Sequence, residues 1–277
     1  MSVVDRSGLA TVRRVVVKVG SSSISGANRG KIAPIVEALA HAHARGTEVV
    51  LVSSGAIATG MPYLTLDERP TDLATQQAAA AVGQNVLIYR YQDALRPFGV
   101  VAGQVLLTAG DLENATPRSN ARRAMERLLG LRILPIVNEN DTVATHEIRF
   151  GDNDRLAALV ARLIGADALV LLSDIECLYT RPPGEPGARP IDRVAWGDDL
   201  DDYEFGATVV NSLGTGGAAT KASAAKLASA AGIGVLVTSA DLVAEALEGR
   251  HVGTWFEPDP APDAAPATGP VRAAGNQ

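Results

Sequence analysis

Ile133-Leu134-Pro135-Ile136-Val137 is an apolar run of strand length that ends abruptly in Asn138-Glu139-Asn140-Asp141. After Gly151-Asp152-Asn153-Asp154 the chain turns apolar again, in Leu156-Ala157-Ala158-Leu159-Val160-Ala161-Arg162-Leu163-Ile164, with the spacing of a buried helix. Strand, polar connection and helix in that order describe half of a β-α-β unit, and an α/β sheet places its sites in such connections. Between Asn138 and Asp154 stand five acids (Glu139, Asp141, Glu147, Asp152, Asp154) and three asparagines (Asn138, Asn140, Asn153). Thr142 to Phe150 alternates as a small hairpin would, which brings the two acidic ends back toward each other. Asp152 or Asn153 could also serve simply as N-cap of the following helix, which accounts for one residue and leaves the other acids without a role.

The same unit recurs on both sides. Toward the N-terminus, Val15-Val16-Val17-Lys18-Val19 reads as a buried strand running into Gly20-Ser21-Ser22-Ser23. A lysine at a strand end beside small residues is either a phosphate contact or a side chain that snorkels to the surface. Lys31 to Arg45 forms a helix stopped at Gly46, and Glu48 to Val52 a second strand ending in Ser53-Ser54-Gly55-Ala56. That turn offers backbone donors to an anion, or an ordinary serine cap. Thr71 to Leu95 is a long helix in which Gly83 permits close packing. Val100 to Leu107 is a third strand, and Arg118 to Leu129 a helix stopped at Gly130. His41 and His43, two residues apart on a helix, point to different faces and make a poor metal pair.

Toward the C-terminus, Ala168-Leu169-Val170-Leu171-Leu172 is a fifth strand ending in Ser173-Asp174. Thr180 to Gly187 is an irregular loop, and acid-rich Asp198 to Glu204 suits a solvated helix face. Leu213-Gly214-Thr215-Gly216-Gly217-Ala218-Ala219-Thr220-Lys221 then opens an Ala-rich helix, and Val235-Leu236-Val237 is the last core strand. Gly214, Gly216 and Ala219 fit a dinucleotide fingerprint formally, but too little chain follows for a β-α-β run, and no Walker A signature occurs. What is left is a Gly-rich loop whose N–H groups, with Lys221 one turn into the helix, could cradle phosphates, or a plain linker. From Glu257 on, Pro, Ala and Gly predict a disordered tail. The alternation implies an α/β fold: an open, mostly parallel sheet with helices on both faces.

Composition is consistent with this. The 277 residues, 47% hydrophobic and 4% aromatic, suffice for one core built from Ala, Val and Leu. A net charge of −6 argues against a general nucleic-acid binder, so any phosphate site must be local. A single cysteine, Cys177, rules out an internal disulfide, and no signal or long apolar span is apparent, which points to the cytoplasm. Lys18, Lys221, two Ser/Gly turns and clustered carboxylates are the components of phosphoryl transfer: cations and Mg2+ neutralise a triphosphate while an Asp holds the lysines.

Five blocks match one known family in order: Val17-Lys18-Val19-Gly20-Ser21, Val52-Ser53-Ser54-Gly55-Ala56, Asn138-Glu139-Asn140-Asp141, Gly151-Asp152-Asn153-Asp154, and Gly214 to Gly217 with Thr220-Lys221. From about Val15 to Val252 the chain resembles the amino acid kinase superfamily and, within it, the glutamate 5-kinases. That resemblance implies a three-layer αβα sandwich spanning residues 1 to 256, with the glutamate site mainly in its N-terminal part and the ATP site mainly in its C-terminal part. It implies that Lys18 and Lys221 contact phosphates, that Asp154 positions both, and that the Gly55 N–H lies near the transferring group. Ser54, Asp141 and Asn153 are implied as glutamate contacts. Ser173, Asp174 and Thr215, Gly216, Gly217, Ala218, Ala219, Thr220 and Lys221 are implied on the ATP side.

The implied reaction is in-line attack of the glutamate side-chain carboxylate on ATP, at the start of proline synthesis, with Mg2+ accompanying ATP, no dedicated protein metal site and no covalent enzyme intermediate. A homo-oligomer and hand-over to γ-glutamyl phosphate reductase are implied as well. The chain departs from the family pattern at Glu176-Cys177-Leu178-Tyr179, where Asp/Asn-Gly-Leu-Tyr is usual, at Arg181-Pro182-Pro183 in place of Asp-Pro, and at Ala218, where Met is frequent. The C-terminal RNA-binding-like (PUA) domain that many members carry is not expected. Three other readings stay open: a sister kinase acting on N-acetylglutamate, aspartate or a nucleoside monophosphate, a paralogue serving a specialised pathway on a glutamate-like acid, and a non-catalytic sensor, which would be expected to lose Lys18, Lys221 or Asp154.

Overall fold

The computed structural model describes residues 3–143, 153–205 and 217–262. The expected hairpin over Thr142 to Phe150 falls almost wholly outside them, as do Asp152, Thr215 and Gly216. The first half of the chain folds as β1 (Arg14–Val19), α1 (Ile32–Ala44), β2 (Glu48–Ser53), α2 (Ala56–Gly60), α3 (Leu73–Leu95) and β3 (Ala102–Leu107). It continues through α4 (Ala109–Glu113), α5 (Ala115–Gly130), β4 (Leu134–Glu139) and α6 (Asn153–Ile164). The remainder comprises β5 (Ala168–Ser173), β6 (Arg193–Val194), α7 (Ala218–Ser229), β7 (Gly234–Ser239), α8 (Val243–Leu247) and β8 (Thr254–Phe256).

Among the described residues the strands form one sheet in the order β3-β4-β2-β1-β5-β7-β8-β6, and of these strand pairs only β7–β8 is antiparallel. From β1 the sheet grows first toward β2 and β4, then back across to β5 and β7, so the strand order reverses at β1. Ligand crevices in open α/β sheets form outside the carboxyl ends of the strands at such a reversal. Period-2 alternation then assigns every β1 side chain to a layer. Val15, Val17 and Val19 join one buried cluster with residues of α1, α3 and α8, while Val16 packs into a second cluster with residues of α5, α6 and α7. Lys18, two residues beyond Val16, therefore faces the α6–α7 side. These are the three layers expected.

Helix α3 is long because its buried residues, Gln76, Ala79, Ala80, Gly83, Leu87, Tyr91 and Leu95, recur every three or four positions. Asp72 caps it by accepting from the Thr75 N–H at 2.8 Å. Gly83 lies against Gly60 of α2. A Cβ on either would run into backbone of the opposite helix, the Ala56 carbonyl for Gly83 and the Ala79 carbonyl for Gly60. The contact presses α2, and the turn that begins it, onto α3.

Three expectations need correction. Asp198 to Glu204 is not a helix: the Asp198 carboxylate accepts from the Leu200 N–H at 2.9 Å, and Leu200 takes a positive φ of 69°, so short acids here terminate turns. Val235 to Val237 is not the last strand, since Trp255 and Phe256 continue the sheet through β8 and are nearly fully buried. The tail does not begin at Glu257, because the Asp259 N–H donates to the Ser229 carbonyl at 2.9 Å and Pro262 lies against Gly232.

Candidate active site

The carboxyl end of β1 brings Lys18 to the sheet's edge, the start of α6 brings Asp154, and the first turn of α7 brings Lys221. They meet: Lys18 Nζ lies 2.5 Å from Asp154 Oδ1, and Lys221 Nζ lies 3.1 Å from Asp154 Oδ2. Asp154 is fully buried, while Lys18 and Lys221 retain 3% and 7% of their surface. Snorkelling is thereby excluded for Lys18. Burial alone would push the Asp154 carboxyl up, but the two ammonium groups outweigh it and hold its pKa below the usual aspartate range. Two cations on one anion leave a net positive charge in a dry site, which costs free energy unless a further anion arrives.

At α7 the Gly217 N–H donates to Thr220 Oγ1 at 2.9 Å, and that hydroxyl lies 3.5 Å from Asp154 Oδ2. Gly217, Ala218, Ala219, Thr220 and Lys221 thus form a helix N-terminus against the lysine–aspartate cluster, with the orphan N–H groups and dipole that suit phosphate. Ser173 and Asp174 close β5 on the neighbouring strand end, their side chains 3.2 Å apart. Thr215 and Gly216 belong to the same loop by sequence and lie outside the described residues.

At β2 the chain leaves the sheet through Ser54 and Gly55. Gly55 has φ 88°, the left-handed region that glycine tolerates, and a Cβ there would meet Ser25 Oγ at 3.1 Å. No serine side chain caps α2, so the ordinary cap reading fails. Ser54 is instead bound from α6: Asn153 Nδ2 lies 2.9 Å from Ser54 Oγ, 2.9 Å from the Ser53 carbonyl and 3.0 Å from Asn138 Oδ1. Asn153 is therefore no helix cap. Its Oδ1 is buried without a hydrogen-bond partner among the described residues.

Asp141 sits farther along, in a pocket of about 280 Å3 with Gln84, Asn85, Gln104, Glu139 and Asn140 in its wall. The wall of this pocket is tied to α6 through Asn138, which accepts from Asn153 Nδ2 at 3.0 Å. Sequence reading gave no role to Asn138, whose amide donates to Gln84 Oε1 at 2.7 Å, nor to Gln84 itself. Asn138 stands in a quoted block, so its type was a signal; Gln84 offered only a polar residue in an Ala-rich helix. His41 and His43 are structural: His41 meets the Phe98 ring edge-on and His43 Nε2 lies 3.1 Å from the Arg132 carbonyl.

The profile of the Amino acid kinase family matches residues 13–239. A Clavibacter sepedonicus protein named glutamate 5-kinase is 70% identical over 258 residues, covering 93% of this chain and 99% of that protein. One of the same name from Leifsonia xyli subsp. xyli is 66% identical over 270 residues, covering 97% of this chain and 100% of its own. Carbamate kinase from Giardia lamblia bound to AMP-PNP superposes with a TM-score of 0.66 at 17% identity, covering 90% of this chain and 100% of that one, a likeness of fold.

Proposed function

Since the chain belongs to the amino acid kinase family, we propose that its lysine–aspartate cluster stabilises transfer of the γ-phosphoryl group of ATP to the side-chain carboxylate of L-glutamate. The chain is an ATP-dependent glutamate 5-kinase, a transferase that makes γ-glutamyl phosphate in proline biosynthesis. The observation that carries the chemistry is the pairing of Lys18 and Lys221 on one buried carboxylate beside a helix N-terminus. Each ammonium has three donors and Asp154 engages them from one side only. The rest are available to phosphate oxygens.

A carboxylate is already a nucleophile, so no general base is needed; positioning and charge neutralisation lower the barrier. Gly55 N–H is assigned to the transferring phosphoryl group. Ser54, Asp141 and Asn153 are assigned to glutamate, with Asp141 and the unpartnered Asn153 Oδ1 facing its α-ammonium. Ser173, Asp174 and residues 215–221 are assigned to ATP. A kinase of this family works with a divalent cation, and we assign Mg2+, arriving with ATP as the substrate complex.

We assign the reaction to the cytoplasm as one that consumes ATP; no described helix is long and apolar enough to cross a membrane. The acyl phosphate, labile in water, is taken to pass to γ-glutamyl phosphate reductase, and a homo-oligomer is expected. ATP-dependent hydroxamate formation across glutamate, N-acetylglutamate, aspartate and glutamine tests the substrate. Glutamate must be the best acceptor; preference for any other acid overturns the assignment.

A further inference from the structure

Tyr91 is a buried titratable group near the site that the proposed reaction does not use. It lies on α3, fully buried, and its hydroxyl is 2.9 Å from Ser53 Oγ, 38 residues away. Ser53 closes β2 in register with Val19 and follows Val49 and Leu51, whose side chains face the α1–α3 layer. Tyr91 therefore reaches the β2 turn from the layer opposite the one that holds Asp154 and Lys221.

Ser53 has one proton and donates it to the Ser54 carbonyl at 3.2 Å. The Tyr91 hydroxyl is then the donor to Ser53, and the bonds run one way: Tyr91 O–H to Ser53 O–H to Ser54 C=O. A trans peptide is planar with its C=O and N–H antiparallel. Fixing the Ser54 carbonyl toward the α1–α3 side therefore aims the Gly55 N–H at the other side, where the lysines are. No described residue accepts from that N–H. Ser53 and Tyr91 are both 0% exposed, so no water replaces either bond, and donors in sequence polarise one another. Asn153 holds the preceding peptide from the opposite face through the Ser53 carbonyl.

We propose that Tyr91 is a positioning residue for phosphoryl transfer: through Ser53 it orients and polarises the Ser54–Gly55 peptide whose N–H serves the transferring group. The inference rests on the assignment of Gly55 made above. Its effect belongs to the transition state, where charge on the phosphoryl oxygens changes, and little of it to substrate binding.

Tyr91→Phe keeps the ring and removes the first donor. Its kcat falls roughly five- to twentyfold, less than the loss for deleting an oxyanion donor outright, with KM for glutamate and for ATP within about twofold of wild type. Ser53→Ala lowers kcat at least as far, and adding Tyr91→Phe to it costs no more, since the relay is already cut. Ser53→Thr, which keeps the hydroxyl, restores the Tyr91 dependence. A merely structural Tyr91 would lower the unfolding midpoint and leave kcat unchanged. The proposal is overturned by a folded Tyr91→Phe with wild-type kcat, or by losses that multiply in the double variant. A wild-type protein that phosphorylates a different acid retires the glutamate assignment while leaving this comparison intact; one with no phosphoryl transfer to any acceptor removes both.

Discussion

Asp154→Asn removes the anion that, among the described residues, pairs with two buried ammonium groups, and changes almost nothing in shape. The carboxylate has no exposed surface and its oxygens lie 2.5 Å from Lys18 Nζ and 3.1 Å from Lys221 Nζ. Taking one partner from a buried ion pair costs about 3–5 kcal/mol, because the remaining charges are left uncompensated. Here two cations are orphaned and an amide NH2 is pointed at one of them, so the upper half of that range is expected for the nucleotide-free protein at pH 7, unless one lysine sheds its proton. ATP supplies the missing anion. It should therefore raise the variant's urea midpoint more than it raises that of wild type. Turnover should fall on the order of 10^2–10^3-fold, as when a transition-state charge stabiliser is lost, with KM for glutamate nearly unchanged.

The acid limb of stability follows from the same carboxylate. Its folded pKa is depressed below 3.8, so its contribution is complete above that unfolded value and is lost as pH falls through the folded one. The gap between wild type and Asp154→Asn should accordingly close below about pH 4. Equal stability at pH 7, or a defect confined to the KM for glutamate, would refute the organising role and make Asp154 a substrate ligand.

Two further outcomes are expected. Lys18→Ala and Lys221→Ala should each raise the barrier by about 3–4 kcal/mol with the fold retained by circular dichroism; turnover within tenfold of wild type would remove that lysine from the phosphoryl site. N-acetylglutamate should be disfavoured by roughly thirtyfold or more in kcat/KM if Asp141 faces the α-ammonium as proposed, since acetylation cancels that charge at a cost of about 2–5 kcal/mol; equal use of the two acids would assign Asp141 elsewhere.

The strands were legible because parallel strands buried on both faces are written as continuous apolar runs, as in Val15 to Val19 and Ala168 to Leu172. Thr254–Phe256 and Arg193–Val194 were not, because three and two residues carry no periodicity and are strands only by what they pair with. The charged part of the site was legible for a related reason: a lysine in an apolar strand end demands a counter-ion. The residues that support the site were hidden. Asn153 as cap and Asn153 as clasp of the β2 turn look alike in sequence, and only the fold puts Ser54 2.9 Å from its amide. Tyr91 shows in sequence as one more large residue on the inner face of α3, and its meeting with Ser53, 38 residues away, is set by the tertiary fold alone.

The central claim, that the glutamate side-chain carboxylate itself attacks ATP, is tested by labelling. Glutamate carrying 18O in that carboxylate is turned over with ATP and trapped with hydroxylamine, and the released phosphate is read by 31P NMR. Hydroxylamine attacks the acyl carbon, so direct transfer predicts one 18O in the phosphate for every hydroxamate formed. Unlabelled phosphate would mean that water or another group had accepted the phosphoryl, and would contradict the mechanism built on Lys18, Asp154 and Lys221.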